Sequence, residues 1–424
     1  MLKPHRFTVY RHKLVLEDGR LVEKLFIVLV DTDGLYHFTT YHRYIKNPRN
    51  RVVGIEQNGD TRIIFVVKLL NYSFITEGIR KLDDLTVETV QNFLNSYGMC
   101  QLPDDTEKTH RTKETVERCV RYVLDFLELM MQDRKDLCTI KIDDLYKEVN
   151  KRNKHGKAIK VKVPVFDVVY KGGNRPAIFR DIPNSAFKLL FDHIMFHHTE
   201  LLGLLIAGAF GGLRPSEACN LVRADSPLRA GIKFDVVEGE ILKITLDLSS
   251  ELNLRRDCKS VGGIKKERMQ QIPDIFLDAF YKAYQYYMKY LECQKFDPDY
   301  APFTVDKRGN AMTYATYHRK FKDVVRNEIV PIFLSSDDPE IVIYGRTLME
   351  HSLTPHVLRH WFTVQLVLSG ISDPGTLMYW RGDDSPDSAL TYLQNKSELE
   401  RMFSRISNDS FEYLKWAAEE KHGN

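Results

Sequence analysis

The hydrophobic period of this chain changes once, near Asp60, and that change limits what it can fold into. Ahead of it, Phe7-Thr8-Val9-Tyr10, Leu25 to Val30 and Tyr36 to Tyr44 are rich in β-branched and aromatic residues. Asp18-Gly19 and Asp33-Gly34 separate them as hairpin turns. The pattern predicts a small three-stranded sheet over residues 6 to 46, whose surplus of Lys and Arg reads as a solvated face or, as the second choice, as an accessory nucleic-acid contact. After Asp60 the apolar positions fall at helical spacing. Thr86 can cap a helix carrying Val90, Phe93, Leu94 and Tyr97, and Thr112 a longer one carrying Val116, Cys119, Val120, Val123, Leu127 and Met130.

The expected division follows. A β-rich module covers 1–54 and a helical domain 55–150. A linker over 151–182 opens with the basic, Gly-punctuated run Lys151 to Lys157. That run reads equally as a solvated tether or as a strap across a phosphate backbone. A larger, mostly helical domain covers 183–424, interrupted by β structure between Lys233 and Ile272. There Glu240 to Leu246 reads as a strand and Gly262-Gly263 as a turn before its partner. The fold class is mainly α with small β-sheets.

Composition narrows the function only by exclusion. Net charge is +3, so any surface that binds a polyanion must come from local clustering. The six cysteines are scattered with no C-x-x-C pair, which argues against a zinc ribbon and fits buried thiols in a reducing compartment. Met1 to Lys13 lacks the apolar stretch of a signal peptide, and the apolar run Leu201 to Phe210 is too short to cross a bilayer. A cytoplasmic protein with no membrane association is the expectation. No G-x-x-x-x-G-K-[ST] loop and no H-E-x-x-H occurs, so no cofactor and no metal is expected.

Three segments carry chemistry. In Gly211-Gly212-Leu213-Arg214-Pro215-Ser216-Glu217, a buried helix ends at the glycines and Pro215 suits the first turn of the next. Arg214 then lies at a helix N-terminus, where a planar guanidinium can grip a phosphate at two points. Glu217 either orients Arg214 or is a first-turn carboxylate. In Thr354-Pro355-His356-Val357-Leu358-Arg359-His360, one helix face gathers His356, Arg359 and His360, as a polyanion or proton-transfer site would, or as a solvent face would. In Tyr379 to Leu393, a turn precedes a short helix with Tyr392 late on it; a tyrosine there is more often core.

Together and in this order, these segments closely resemble the tyrosine recombinase, or phage integrase, family. That family carries a G-L-R-x-x-E-x-x-x-L box, an H-x-x-R-H box, and a His or Trp about nine residues before a nucleophilic tyrosine. The resemblance runs over roughly residues 55 to 400 and implies a helical, SAM-like core-binding domain followed by the catalytic domain. It implies that Arg214 and Arg359 hold the scissile phosphate, that His356 assists the phosphate or the moving proton, and that His360 supports the pocket. Tyr392 would attack phosphorus, leaving a 3′-phosphotyrosine. A lysine of the segment Arg255 to Arg268, expected as a β-hairpin, would protonate the leaving 5′-oxygen; Lys259 is the first choice and Lys265 the second. The partners implied are double-stranded DNA, three further copies in a synaptic tetramer, and an accessory directionality factor.

One position departs from the pattern. Asp383 stands where the family has its His or Trp. A carboxylate is repelled by phosphate, so Asp383 is expected to hold a cation such as Arg381 or His360, with Trp380 packing behind Tyr392. The alternatives are a type IB topoisomerase-like enzyme, a metal-dependent DDE transposase built on pairs such as Asp337-Asp338 and Asp383-Asp384, and a non-catalytic DNA-binding regulator of the same fold.

Overall fold

The computed structural model of the chain describes residues 5–45, 60–107, 109–134, 137–152, 158–172, 182–294 and 300–383. It divides into two compact units, Met1–Leu14 with Val22–Ala177, and Val15–Leu21 with Ile178–Asn424.

The first unit joins a sheet to helices. Strands β1 (Arg6–Val15), β2 (Leu21–Val30) and β3 (Tyr36–Phe38) form a sheet in that order. Gly19 and Gly34 take positive φ in the two turns, as the Asp-Gly pairs predict. The third strand is shorter than expected. Tyr41–Tyr44 forms a 3-10 turn that buries Tyr44 instead of extending the sheet. Helices α1 (Asp60–Asn71), α2 (Val87–Gly98) and α3 (Lys113–Asp133) follow, and Thr86 and Thr112 cap α2 and α3 by accepting from Thr89 N–H and Thr115 N–H. Sheet and helices share one core: Phe7, Leu25 and Ile27 lie in the same buried cluster as Leu69, Phe93, Phe126 and Leu127. Asn71 ties α1 to β1 through paired bonds with Phe7, 2.7 Å to its N–H and 3.0 Å to its carbonyl.

The segment expected to be a basic linker holds a β-hairpin, β4 (Tyr146–Arg152) paired antiparallel with β5 (Ala158–Pro164). Its pattern was present in the sequence. Ile159, Val161 and Val163 alternate with Lys160 and Lys162, a two-residue period obscured by the charge. Residues 153–157 of the basic run lie outside the described residues.

The second unit is built on α5 (Leu202–Ala209), every residue of which is buried. Around it pack α4 (Asn184–His197), α7 (Asp274–Gln294) and α11 (His356–Leu368). Trp361 of α11 stacks on Phe187 of α4 at 3.9 Å between ring centroids, and its indole N–H donates to Asn184 Oδ1 at 2.7 Å. The one-turn α6 (Pro215–Ala218) comes next, then the sheet β6 (Ile232–Val237), β7 (Glu240–Leu248) and β8 (Arg268–Gln271). Helices α8 (Tyr314–Val324), α9 (Val330–Leu334), α10 (Pro339–Glu350) and α12 (Pro374–Arg381) complete the unit. Among the described residues no single helix is long and apolar enough to cross a membrane.

Residues 255–268 are not the hairpin expected from the glycine pair. Of the stretch from 255 to 271, only Arg268–Gln271 pairs with β7, in the register Thr245↔Gln271. The carbonyls of Gly262 and Gly263 accept instead from Asn220 Nδ2 at 2.8 Å and Ser216 Oγ at 2.9 Å, fastening the long β7–β8 connection to α6. Side-chain donors on a neighbouring element satisfied carbonyls that a hairpin ladder would have used.

Gly212 couples this architecture to the site. It sits at φ +63°, and a Cβ there would lie 2.4 Å from the Phe362 ring. Gly212→Ala combines left-handed strain with overpacking and is expected to cost at least about 2 kcal/mol. A urea unfolding midpoint equal to that of the unaltered chain would refute this.

Candidate anion-binding site

Two helix-flanking segments and the start of α11 carry Arg214, Asp383 and Arg359 to one point in the second unit. Arg214 caps α6 in extended conformation, with Pro215 at the first helical position. Because α6 has only four residues, few peptide dipoles add, and the guanidinium rather than the helix end supplies the positive charge. Arg359 projects from the first turns of α11, and its side chain is 2% exposed. Its Nη1 donates to the Gly212 carbonyl at 2.5 Å, which fixes the guanidinium beside the loop that carries Arg214.

Asp383 arrives from the other side. Gly382 ends α12 in the left-handed conformation at φ 60°, and Asp383 N–H donates back to Met378 O at 3.1 Å. Gly382 sits at φ +60°, and a Cβ there would lie 2.2 Å from Arg268 Nε, so any other residue would strain the turn and push the Arg268 guanidinium aside. The turn points the Asp383 carboxylate between the arginines. Oδ1 accepts from Arg214 Nη2 at 2.5 Å and from Arg359 Nη2 at 2.7 Å, and Oδ2 accepts from Arg381 Nε at 2.7 Å. The expected pairing with Arg381 is present, together with two partners the sequence did not suggest.

A second carboxylate lies behind the first. Glu217 is wholly buried and accepts from Arg214 Nη1 at 2.9 Å and from Arg268 Nη2 at 3.0 Å. It also accepts from the Arg214 backbone N–H at 3.1 Å. Glu217 therefore orients Arg214, one of the two roles open to it from sequence.

The charges shift one another's titration. Burial pushes the Asp383 carboxyl up, but Arg359, Arg381 and Arg214 outweigh it and hold the group below its ordinary 3.8. Glu217 behaves alike: burial raises it, while Arg268 and Arg214 bring it below 4.5. Burial, with the nearby charges of Arg214 and Arg381, lowers Arg359 to about 9, so it stays a cation at neutral pH.

The remaining candidates take varied places. His356 and His360 stand edge to face on α11, 5.0 Å apart. Trp380 is half-buried, and its carbonyl accepts from Gln270 Nε2 at 2.8 Å, linking α12 to β8. Lys259 and Lys265 are exposed; the Lys259 N–H donates to Asp257 Oδ1 at 3.0 Å. The lysine that reaches the site is Lys266, whose Nζ donates to the Asp383 carbonyl at 3.3 Å. Tyr392 lies outside the described residues. Sequence reasoning missed Lys266 and Arg268 as members of the cluster. Their spacing of two, on entry to β8, was the available signal, because it places both on one face of an extended segment.

Among the described residues one group has metal-ligand character. His193, His198 and Glu328 present ligand atoms within 4.8 Å of one another. The donor set suits a zinc-sized cation. The geometry present is that of two imidazole nitrogens, each 2.8 Å from the same Glu328 oxygen.

No family model and no curated protein matches the chain. Solved structures do. The Tn1549 transposon integrase in complex with transposon right end DNA is 18% identical with a TM-score of 0.45, over 82% of this chain and 94% of that one. The XerH site-specific recombinase bound to difH is 15% identical with a TM-score of 0.44, over 79% and 76%. A lambda integrase dimer bound to a COC′ core site is 13% identical with a TM-score of 0.39, over 80% and 89%. All three are tyrosine recombinases. At these identities the matches assign no role to any residue.

Acid should dismantle this cluster. Both carboxylates have depressed values in the folded chain, so their stabilisation is full above the unfolded values near 4.5 and 3.8 and is lost as pH falls through the lower folded ones. Glu217→Gln takes the buried counter-charge from Arg268 and leaves Arg214 with Asp383 alone, and is expected to cost about 3–5 kcal/mol at pH 7. The loss should shrink toward pH 3. A pH-independent difference in unfolding free energy would contradict the ion-pair assignment.

Proposed function

We propose that this chain is a DNA strand transferase, a site-specific recombinase that cuts and rejoins duplex DNA through a covalent bond to Tyr392. The observation that carries this reading is the convergence of Arg214 and Arg359 on one anionic oxygen. The two residues are 145 positions apart in sequence, yet both Nη2 atoms donate to Asp383 Oδ1. Two guanidinium groups meeting at a single oxygen make a receptor for a phosphodiester.

In the proposed reaction the arginines bind the non-bridging oxygens and stabilise the charge of the pentacoordinate transition state. The Tyr392 oxygen bonds to phosphorus as the bond from phosphorus to the 5′-oxygen breaks. His356 serves the phenol's proton or the phosphate, and a lysine delivers a proton to the leaving oxygen. Lys266 is better placed for this than Lys259 or Lys265, because its ammonium already lies at the arginine cluster. The phosphotyrosine ester retains the energy of the broken bond, so attack by a free 5′-hydroxyl reseals DNA without ATP. The proposed setting is cytoplasmic integration or excision of a mobile element by a tetramer on paired sites, aided by a directionality factor.

Asp383 favours one alternative, a regulator that binds DNA without cutting it, because a carboxylate stands where a donor would serve cleavage. Trapping on a nicked half-site decides between them. The proposed enzyme leaves a protein–DNA adduct that survives denaturation, and a regulator leaves none.

Tyr392→Phe should bind the same DNA with unchanged affinity and form no adduct. Arg214→Ala should form adduct about 10²–10³-fold more slowly. Cleavage should persist in excess EDTA; a strict magnesium requirement would overturn the mechanism.

A further inference from the structure

The Asp383 carboxylate stands on the donors that a scissile phosphate would need. Its Oδ1 takes the Nη2 of both Arg214 and Arg359, the pair assigned above to the non-bridging oxygens. An aspartate and a phosphodiester cannot share those donors, since two anions within hydrogen-bonding distance of the same nitrogens repel each other.

The surroundings let the carboxylate leave. Asp383 keeps a second set of partners away from the two arginines: Oδ2 accepts from Arg381 Nε, and its carbonyl accepts from Lys266 Nζ. Arg381 is itself anchored to Thr363, so it offers a fixed resting place. Asp383 is also the first residue beyond the left-handed Gly382; its N–H stays bonded to Met378 O, so only its side chain has to move. A cavity of 330 Å³ lies against it, lined by Lys266, Arg268, Gln270, Met378 and Gly382 among others. Space and positive charge therefore sit beside the occupied donors.

We propose that Asp383 is an internal competitor for the phosphate site. Its carboxylate holds Arg214 and Arg359 together in the absence of DNA and is displaced toward Arg381 when a phosphodiester enters. The site then engages only backbone phosphates bound firmly enough, through contacts elsewhere on the DNA, to supply the cost of displacement. This rests on the strand-transferase reading but is separable from it, because competition for an oxyanion needs no cleavage.

The test is isothermal titration of the full chain with inorganic phosphate, beside adduct formation on a nicked half-site. Asp383→Asn removes the negative charge at equal size, and Asp383→Ser removes it with a smaller polar side chain. Both should bind phosphate about tenfold or more tightly than the unaltered chain. Asp383→Glu, which restores a carboxylate, should bind near the original affinity. Matched thermal unfolding of the four proteins shows whether each variant is folded, and the serine variant serves if the asparagine one is not. Equal or weaker phosphate binding in the folded neutral variants overturns the proposal and makes Asp383 a positioning residue for the arginines. Tighter phosphate binding with no adduct from any of the four proteins upholds the competitor and sinks the strand-transferase reading instead. Adduct from the unaltered chain with no tightening does the reverse.

Discussion

A guanidinium buried as deeply as Arg359 persists only if its charge is compensated on the spot. The desolvation cost of an isolated ion in a protein interior is several kcal/mol, comparable to a domain's whole stability. Here the compensation comes from the Gly212 carbonyl and the Asp383 carboxylate. Each imposes a demand on the fold. The carbonyl requires the left-handed turn at Gly212 that ends the buried α5, and the carboxylate requires the left-handed turn at Gly382 that ends α12. Two helix ends, α6 and α11 are thereby fixed around one cation.

The cluster also carries more positive than negative charge. Arg214, Arg268, Arg359, Arg381 and Lys266 gather about two carboxylates, Glu217 and Asp383. Glu217 is wholly buried and held by backbone and side-chain bonds, so it belongs to the scaffold. Asp383 sits at the end of a helix and faces a cavity, so it is the exchangeable member. A surplus of fixed cations around one removable anion is what an oxyanion receptor requires. The preorganisation that would stabilise a transition state is built before any ligand arrives.

Several elements were legible because they depend on neighbours in sequence. The Thr86 and Thr112 caps, the Asp-Gly turns, the buried run that becomes α5 and the strand from Glu240 all follow from local propensity and period. Others failed for a physical reason. The β4–β5 hairpin was hidden because its solvent face is lysine, so charge was read where alternation mattered. The segment with Gly262 and Gly263 was read as a hairpin because glycine pairs often turn strands. The choice fell instead to Asn220 and Ser216, residues far from it in sequence.

The sequence by itself determined which residue types were available for the site and in what order: the boxes around Arg214 and Arg359, and an aspartate at position 383. It also made Asp383 incompatible with phosphate, since that follows from charge alone. Only the tertiary structure decided that one Asp383 oxygen bridges both arginines, that Glu217 accepts from Arg268 as well as from Arg214, and that Lys266 rather than Lys259 reaches the cluster. Such contacts join residues 24 to 169 positions apart. No local preference encodes them. They are set by where a packed core leaves each helix end, and by the cost of leaving any one of those buried charges unpaired.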